Sequence, residues 1–336
     1  MAFESARNMT NFIMLDSKTL QLPSGVFGGV SNVSCFATGE LEGIRLTEKN
    51  VLPTQAGGLI PACTETARRK NKYSVEFYKS GMVKAVALDA QQEIKTPIGT
   101  FPAELATFYE SGELKRFFPL DGKISGFWTE AEERKLAEPF SFDLGFTRFS
   151  ALINGVAFHR SGALKSVTLQ PGELIDVKTI YGTVLVRNGF SLYETGELDS
   201  LEPAYPVPID TPIGRICAYD PSAVGLSADI CSLAFEPDGR VRKIATSSTR
   251  LTVTGDDGPS VFEPIERPDP MDDDRTVVEG FEIRFDYESE FAEILSDGIS
   301  STYPMDPSLY SCVDTGLSSL GCSSGNCASC GLCPEA

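Results

Sequence analysis

At 336 residues the chain is long enough for one large or two ordinary domains, and 41% hydrophobic with 23% charged residues excludes wholesale disorder. A formal net charge of −18 removes any general attraction for nucleic acid or an anionic membrane surface. No apolar run approaches the length that spans a bilayer, so neither membrane insertion nor a nucleic-acid partner is expected.

Residues 1–30 form an N-terminal segment without a basic region followed by a long apolar stretch. No secretory signal is visible there, and a cytoplasmic location is the expectation. Nine cysteines without such a signal argue against a secreted disulfide framework. Cys35, Cys63, Cys217 and Cys231 are scattered, whereas Cys312, Cys322, Cys327, Cys330 and Cys333 fall in the last 25 residues.

Residues 31–250 carry a degenerate repeat centred on Gly39, Gly81, Gly112, Gly162, Gly196 and Gly239. Ser, Thr or Asp precedes each glycine, and four residues before it stand Cys35, Phe77, Phe108, Phe158, Leu192 and Phe235. Two residues after it come Leu41, Val83, Leu114, Leu164, Leu198 and Val241; five after it come Ile44, Val86, Phe117, Val167, Leu201 and Ile244. This pattern predicts an apolar strand, a tight turn whose glycine supplies a positive φ, and a second apolar strand. One hairpin alone is marginal, so the units must pack side by side and share a core.

A second turn follows at a fixed distance. Thr54-Gln55-Ala56-Gly57, Thr96-Pro97-Ile98-Gly99 and Thr211-Pro212-Ile213-Gly214 each place a glycine 18 residues beyond a repeat glycine, an arrangement suited to type I turns. Repeat spacing varies from 31 to 50 residues, so insertions interrupt a regular stack. The segments Phe108-Tyr109-Glu110-Ser111-Gly112-Glu113-Leu114 and Asp121-Gly122-Lys123-Ile124-Ser125-Gly126 resemble variant MORN repeats of the bacterial antitoxin-like YwqK type. That resemblance implies an antiparallel β-hairpin array, solenoid- or sheet-like, with a protein-binding role and no catalytic residue.

Within the repeats, Arg68, Arg69, Lys70 and Lys72 read as a solvated basic loop. His159, the single histidine, occupies the slot that holds Phe36, Tyr78, Tyr109 and Tyr193 in other units, so it reads as a structural aromatic. Cys35 and Cys231 read as core residues. Cys63 and Cys217 follow connector turns and stay open. Thr129-Glu130-Ala131-Glu132 is a capping box opening a short helix that Pro139 ends. Residues 251–310 read as a linker and additional strand and helix segment. Positions 256–274, rich in Pro, Asp and Gly, form the linker or a long loop; a strand covers Phe281, Ile283, Phe285 and Tyr287; a short helix spans 288–296. Asp272-Asp273-Asp274 lacks the spacing of a calcium loop. The fold class is thus all-β with few short helices.

Residues 311–336 form an irregular cysteine-rich tail. Cys322, Cys327, Cys330 and Cys333 have the spacing C-x4-C-x2-C-x2-C, four thiols within 12 residues, with glycines that let a backbone wrap a small inorganic centre. The run Cys327-Ala328-Ser329-Cys330-Gly331-Leu332-Cys333 resembles the C-x-x-C-G-x-C run of bacterial ferredoxins. The resemblance implies a [4Fe–4S] cluster on Cys327, Cys330 and Cys333. No further Cys-Pro follows, so Cys322, or Cys312 as alternate, supplies the fourth thiolate unless a partner does. Zinc, or no metal at all, are the alternatives. The tail has no Lys or Arg to offset a thiolate cluster, which favours docking against another protein.

No phosphate loop, zinc-protease helix or nucleophile elbow is present, which disfavours an enzyme acting alone. The expected function is an accessory protein whose β-repeat platform docks a redox or metal-handling protein and whose tail serves electron transfer. The competing reading is a non-redox binding module with a zinc-binding, metal-delivery or free-thiol tail.

Overall fold

The computed structural model describes residues 12–16, 18–70, 72–223, 231–255, 258–269 and 272–315, omitting the side chains of 272–275. The chain is all-β, its strands pair antiparallel, and one α-helix, Glu130–Arg134, occurs among the described residues. No helix there is long and apolar enough to cross a membrane.

Each repeat glycine sits at a hairpin turn. Gly39, Gly81, Gly112, Gly162, Gly196 and Gly239 have φ between +85° and +102°. In every unit the glycine N–H donates to the carbonyl three residues earlier, and that earlier residue's N–H donates to the carbonyl just past the glycine, as at Tyr109, Gly112 and Glu113. This is a three-residue loop closed by a bulge, in which the glycine takes the left-handed position. The hydroxyls of Thr38, Ser111 and Thr195 reach Glu40, Glu113 and Glu197 across their turns. The connector turns use a second device: Thr54, Thr96, Thr179 and Thr211 each donate from Oγ1 to the glycine carbonyl three residues on.

The chain divides into two compact units, one of residues 1–175, 187–199 and 226–229, the other of residues 176–186, 200–225 and 230–336. In the first, Val30–Cys35, Leu41–Leu46, Val75–Phe77, Val83–Thr96, Gly99–Phe108, Leu114–Phe118, Ile153–Phe158 and Leu164–Leu169 pair in chain order. In the second, Leu233–Phe235, Val241–Thr246, Phe281–Asp286, Phe291–Ser296 and Ile299–Pro304 do the same. The residues five past each repeat glycine, Ile44, Val86, Phe117, Val167, Leu201 and Ile244, are all 0% exposed. Phe77, Phe108, Phe158 and Phe235 are buried beside them, each contributing about 1.5–3 kcal/mol by leaving water.

The polar slot between these positions links neighbours. Tyr78 Oη donates to Phe108 O and Tyr109 Oη to Phe158 O, both at 2.8 Å, each reaching the residue that opens the next turn. His159 Nε2 lies 2.9 Å from Leu192 O, the same station one unit further. A lone histidine therefore does the work of a tyrosine.

Several expectations are corrected. Cys35 is exposed, because among the described residues Val30–Cys35 is an end strand of its sheet, paired with Leu41–Leu46. Within 256–274, Gly258–Phe262 and Ile265–Asp269 are strands, paired with Thr249–Gly255 and Asp272–Glu279. The helix over 288–296 is instead a turn and the strand Phe291–Ser296, whose Ala292 and Ile294 alternate inward at 0% exposure. The segment after Tyr310 opens with a strand, Tyr310–Asp314, paired with residues 249–253, so the body extends at least to Asp314. Thr129 does form the capping box, with Glu132 reaching back to its N–H.

Candidate functional site

Of the sequence-derived ligands, Cys322, Cys327, Cys330 and Cys333 lie outside the described residues. Cys312 sits in the strand Tyr310–Asp314 with its thiol 3.5 Å from Ile213 O. A Cβ at Gly214, where φ is +123°, would come within 2.9 Å of that sulfur, so the backbone approaches the thiol closely. Burial pushes the Cys312 thiol above its ordinary range. The Cys217 thiol is raised by burial and by Asp314, whose Oδ2 is 3.9 Å away. Cys63 is raised by burial and Asp89. A raised thiol carries less thiolate at neutral pH. Cys231 is buried in the core as expected.

The most highly built polar site is one the sequence reading dismissed. Arg68 and Arg69 belong to no solvated loop: their side chains are 15% and 8% exposed. Arg68 makes two bonds of 2.8 Å to Glu104 and two of 2.7 Å to Glu133. Glu104 lies at an irregularity of the strand Gly99–Phe108, where the register shifts between Ala103 and Leu105, and such a break turns a side chain inward. Glu104 also accepts from Asp121 N at 2.7 Å, and Glu133 accepts from Gly122 N at 2.8 Å and Trp128 Nε1 at 2.6 Å. A Cβ at Gly122 would fall 2.0 Å from the Glu133 carboxylate, so this contact requires glycine. Burial disfavours ionised Glu133, yet the bonds from Arg68, Trp128 and Gly122 outweigh it and hold the carboxyl below its ordinary range. Asp121 moves the other way: burial raises it despite Lys123 at 2.6 Å.

This cluster fastens residues 119–139, the longest insertion between repeat turns, to the first unit. Ser125 and Trp128 exchange backbone hydrogen bonds of 2.8 and 3.3 Å, closing a turn that leaves Phe127 87% exposed. Beside the insert lies a cavity of about 370 Å³ walled by Phe118, Leu120, Ile124 and Ile153, with Asn154 and Gln170 in its lining. Arg134 closes one side through Pro171 O at 2.7 Å and an ion pair with Glu173. The sequence shows a glutamate, Glu104, within an otherwise apolar strand, but its partner Arg68 stands 36 residues away. Nothing in the periodicity marked Asn154 or Gln170.

No group of three or more His, Cys, Asp or Glu side chains converges for a metal among the described residues. No family model, curated protein or solved structure matches the chain.

Proposed function

We propose that this chain is an accessory interaction protein in which the β-hairpin body docks a protein partner and Cys322, Cys327, Cys330 and Cys333 bind a [4Fe–4S] cluster. The observation that carries the docking role is the insert 119–139. A buried ion cluster pins it; it presents Phe127 at 87% exposure, and other residues of the insert, Leu120 and Ile124, wall a cavity. An exposed aromatic on a pre-ordered turn is the form an interface anchor takes.

The metal role is supported by the donor set, four closely spaced thiols with the C-x-x-C-G-x-C order, as in the variant of ferredoxin it resembles. A bound cluster would supply one-electron transfer. The packing of Cys312 against Ile213 and Gly214 favours Cys322 as fourth ligand. Thr315 donates from N and Oγ1 to Ser248 O at 2.7 and 3.0 Å, so the tail starts from a fixed point on the second unit.

The test is analysis of anaerobically purified protein. Full-length chain should be brown, with about four iron and four acid-labile sulfide per chain. A chain ending at Thr315 should be folded and metal-free, whereas ending at Tyr310 removes a strand. Less than one metal ion per chain with no sulfide sinks the cluster. Colourless protein with stoichiometric zinc supports the non-redox binding module instead.

A further inference from the structure

Two residues lining the cavity beside the insert, Asn154 and Gln170, carry side-chain amides without a hydrogen-bond partner among the described residues. Gln170 is 7% exposed, and among the described residues its backbone makes hydrogen bonds while its side-chain amide makes none. Asn154 lies where the pairing with the strand Leu164–Leu169 slips, between Ile153↔Leu169 and Gly155↔Thr168, so it is the extra residue of a bulge. Its side-chain amide likewise has no hydrogen-bond partner among the described residues, and neither amide is sealed from solvent. Gly155 next to it lets Phe118 close over the strand, since a Cβ there would sit 3.1 Å from Phe117 O and 3.2 Å from the Phe118 ring.

A primary amide offers two donors and an acceptor, and one that reaches solvent without a protein partner is free to bond a ligand. Asn154 and Gln170 line an apolar-walled cavity of about 370 Å³, within the size range of small-ligand sites. The charges of the lining are mostly committed: Glu133 to Arg68, Trp128 and Gly122, and Arg134 to Glu173 and Pro171. Glu130 is exposed at the first turn of the helix. The group that matches this lining is therefore neutral, carries both N–H and C=O, and is attached to an apolar body. A peptide bond with an aliphatic side chain meets that description.

We propose that this cavity is a peptide-binding subsite. An aliphatic side chain of an extended partner segment fills the space between Phe118, Leu120, Ile124 and Ile153. The amides of Asn154 and Gln170 bond the N–H and C=O of the adjoining peptide units. The proposal rests on the reading of the body as a docking platform and names where and what it docks.

The probe is N-acetyl-leucine N-methylamide, titrated into the full-length protein while the side-chain amide resonances of Asn154 and Gln170 are followed by NMR. Saturable shifts at both amides are expected. Binding should weaken about tenfold in the double variant Asn154→Leu, Gln170→Leu, in keeping with the loss of hydrogen bonds to the two amides. The emission of Trp128 verifies that the variant keeps its fold. Should the variant fail to fold, the wild-type protein still discriminates, because N-acetyl-leucine methyl ester lacks one N–H and should bind several-fold more weakly. No saturable shift, or equal binding of amide and ester together with an unaffected double variant, overturns the subsite. A protein partner that binds the double variant as tightly as wild type also overturns it, while leaving the docking platform in place.

Discussion

Replacing Arg68 by Met tests whether the charge cluster holds the insert. The substitution keeps much of the aliphatic stem but removes the shared counter-charge of Glu104 and Glu133, whose side chains are 7% and 14% exposed. Breaking a buried ion pair by removing one partner costs about 3–5 kcal/mol, because the remaining charge is stranded. Glu133 keeps its bonds from Trp128 and Gly122, and Glu104 keeps Asp121 N, so about 3 kcal/mol is the expected loss. Adding Glu104→Gln should recover less than about 1 kcal/mol, since Glu104 keeps Asp121 N and the Arg69 guanidinium at 3.9 Å, and discharging it takes the counter-charge from the buried Arg69. Trp128 is the only tryptophan of the chain and bonds Glu133 directly, so its fluorescence in a urea titration reports this site. A loss under about 1 kcal/mol with unchanged Trp128 emission would show that the cluster is no more than a solvated surface network.

His159→Tyr should shift stability by less than about 0.5 kcal/mol, whereas His159→Phe, which leaves Leu192 O without its bond, should cost about 1 kcal/mol by urea denaturation. Because the Glu133 carboxyl is held low, its stabilising share is present above about pH 4.3, the unfolded value, and is lost as pH falls through its lower folded value. Trp128 emission should change across that acid window, and Glu133→Gln should abolish the change. Asp121, raised by burial, has the opposite sign, stabilising only below its unfolded value and losing that share as pH rises through the folded one; Asp121→Asn should therefore raise stability at neutral pH, by urea titration. Gly112→Val, at φ +102° with open space around the new Cβ, should cost about 1–3 kcal/mol through backbone strain alone, as read by the unfolding midpoint.

The turns were legible because their chemistry is local: a glycine at the left-handed position with apolar residues at fixed offsets leaves a pattern that survives a histidine in the aromatic slot. Where one local element changed, the pattern was lost. Tyr287-Glu288-Ser289-Glu290 is a related turn in which Glu290 takes the left-handed conformation, φ +56°, and the absence of glycine hid it behind an apparent helix. Asp297-Gly298, both with positive φ, is a two-residue hairpin turn that should have forced a strand assignment for residues 291–296. Thr179-Ile180-Tyr181-Gly182 escaped because it lies 20, not 18, residues past its repeat glycine. The burial of Arg68 depends on Glu104 and Glu133, 36 and 65 residues away in sequence, and no local window contains both partners. Asn154 and Gln170 were invisible for a similar reason, since a bulge and a cavity wall arise only from strand pairing.

The aromatic ladder runs in one direction, each rung reaching forward to the next turn, and it begins with a gap. Phe36 holds the slot in the first hairpin and has no hydroxyl to offer Phe77 O, while Tyr78 and Tyr109 carry the later rungs. The leading hairpin thus lacks that rung; besides backbone pairing and apolar contact, it is held at its far end by Tyr73 Oη on Glu42 and by Leu46 N on Ser74 Oγ, both at 3.0 Å. In a quasi-one-dimensional stack such a junction behaves like a loosely stitched hem: fraying starts there and the remaining turns stay closed. Amide exchange should accordingly be fastest across residues 30–46 and slow from the Tyr78 turn onward.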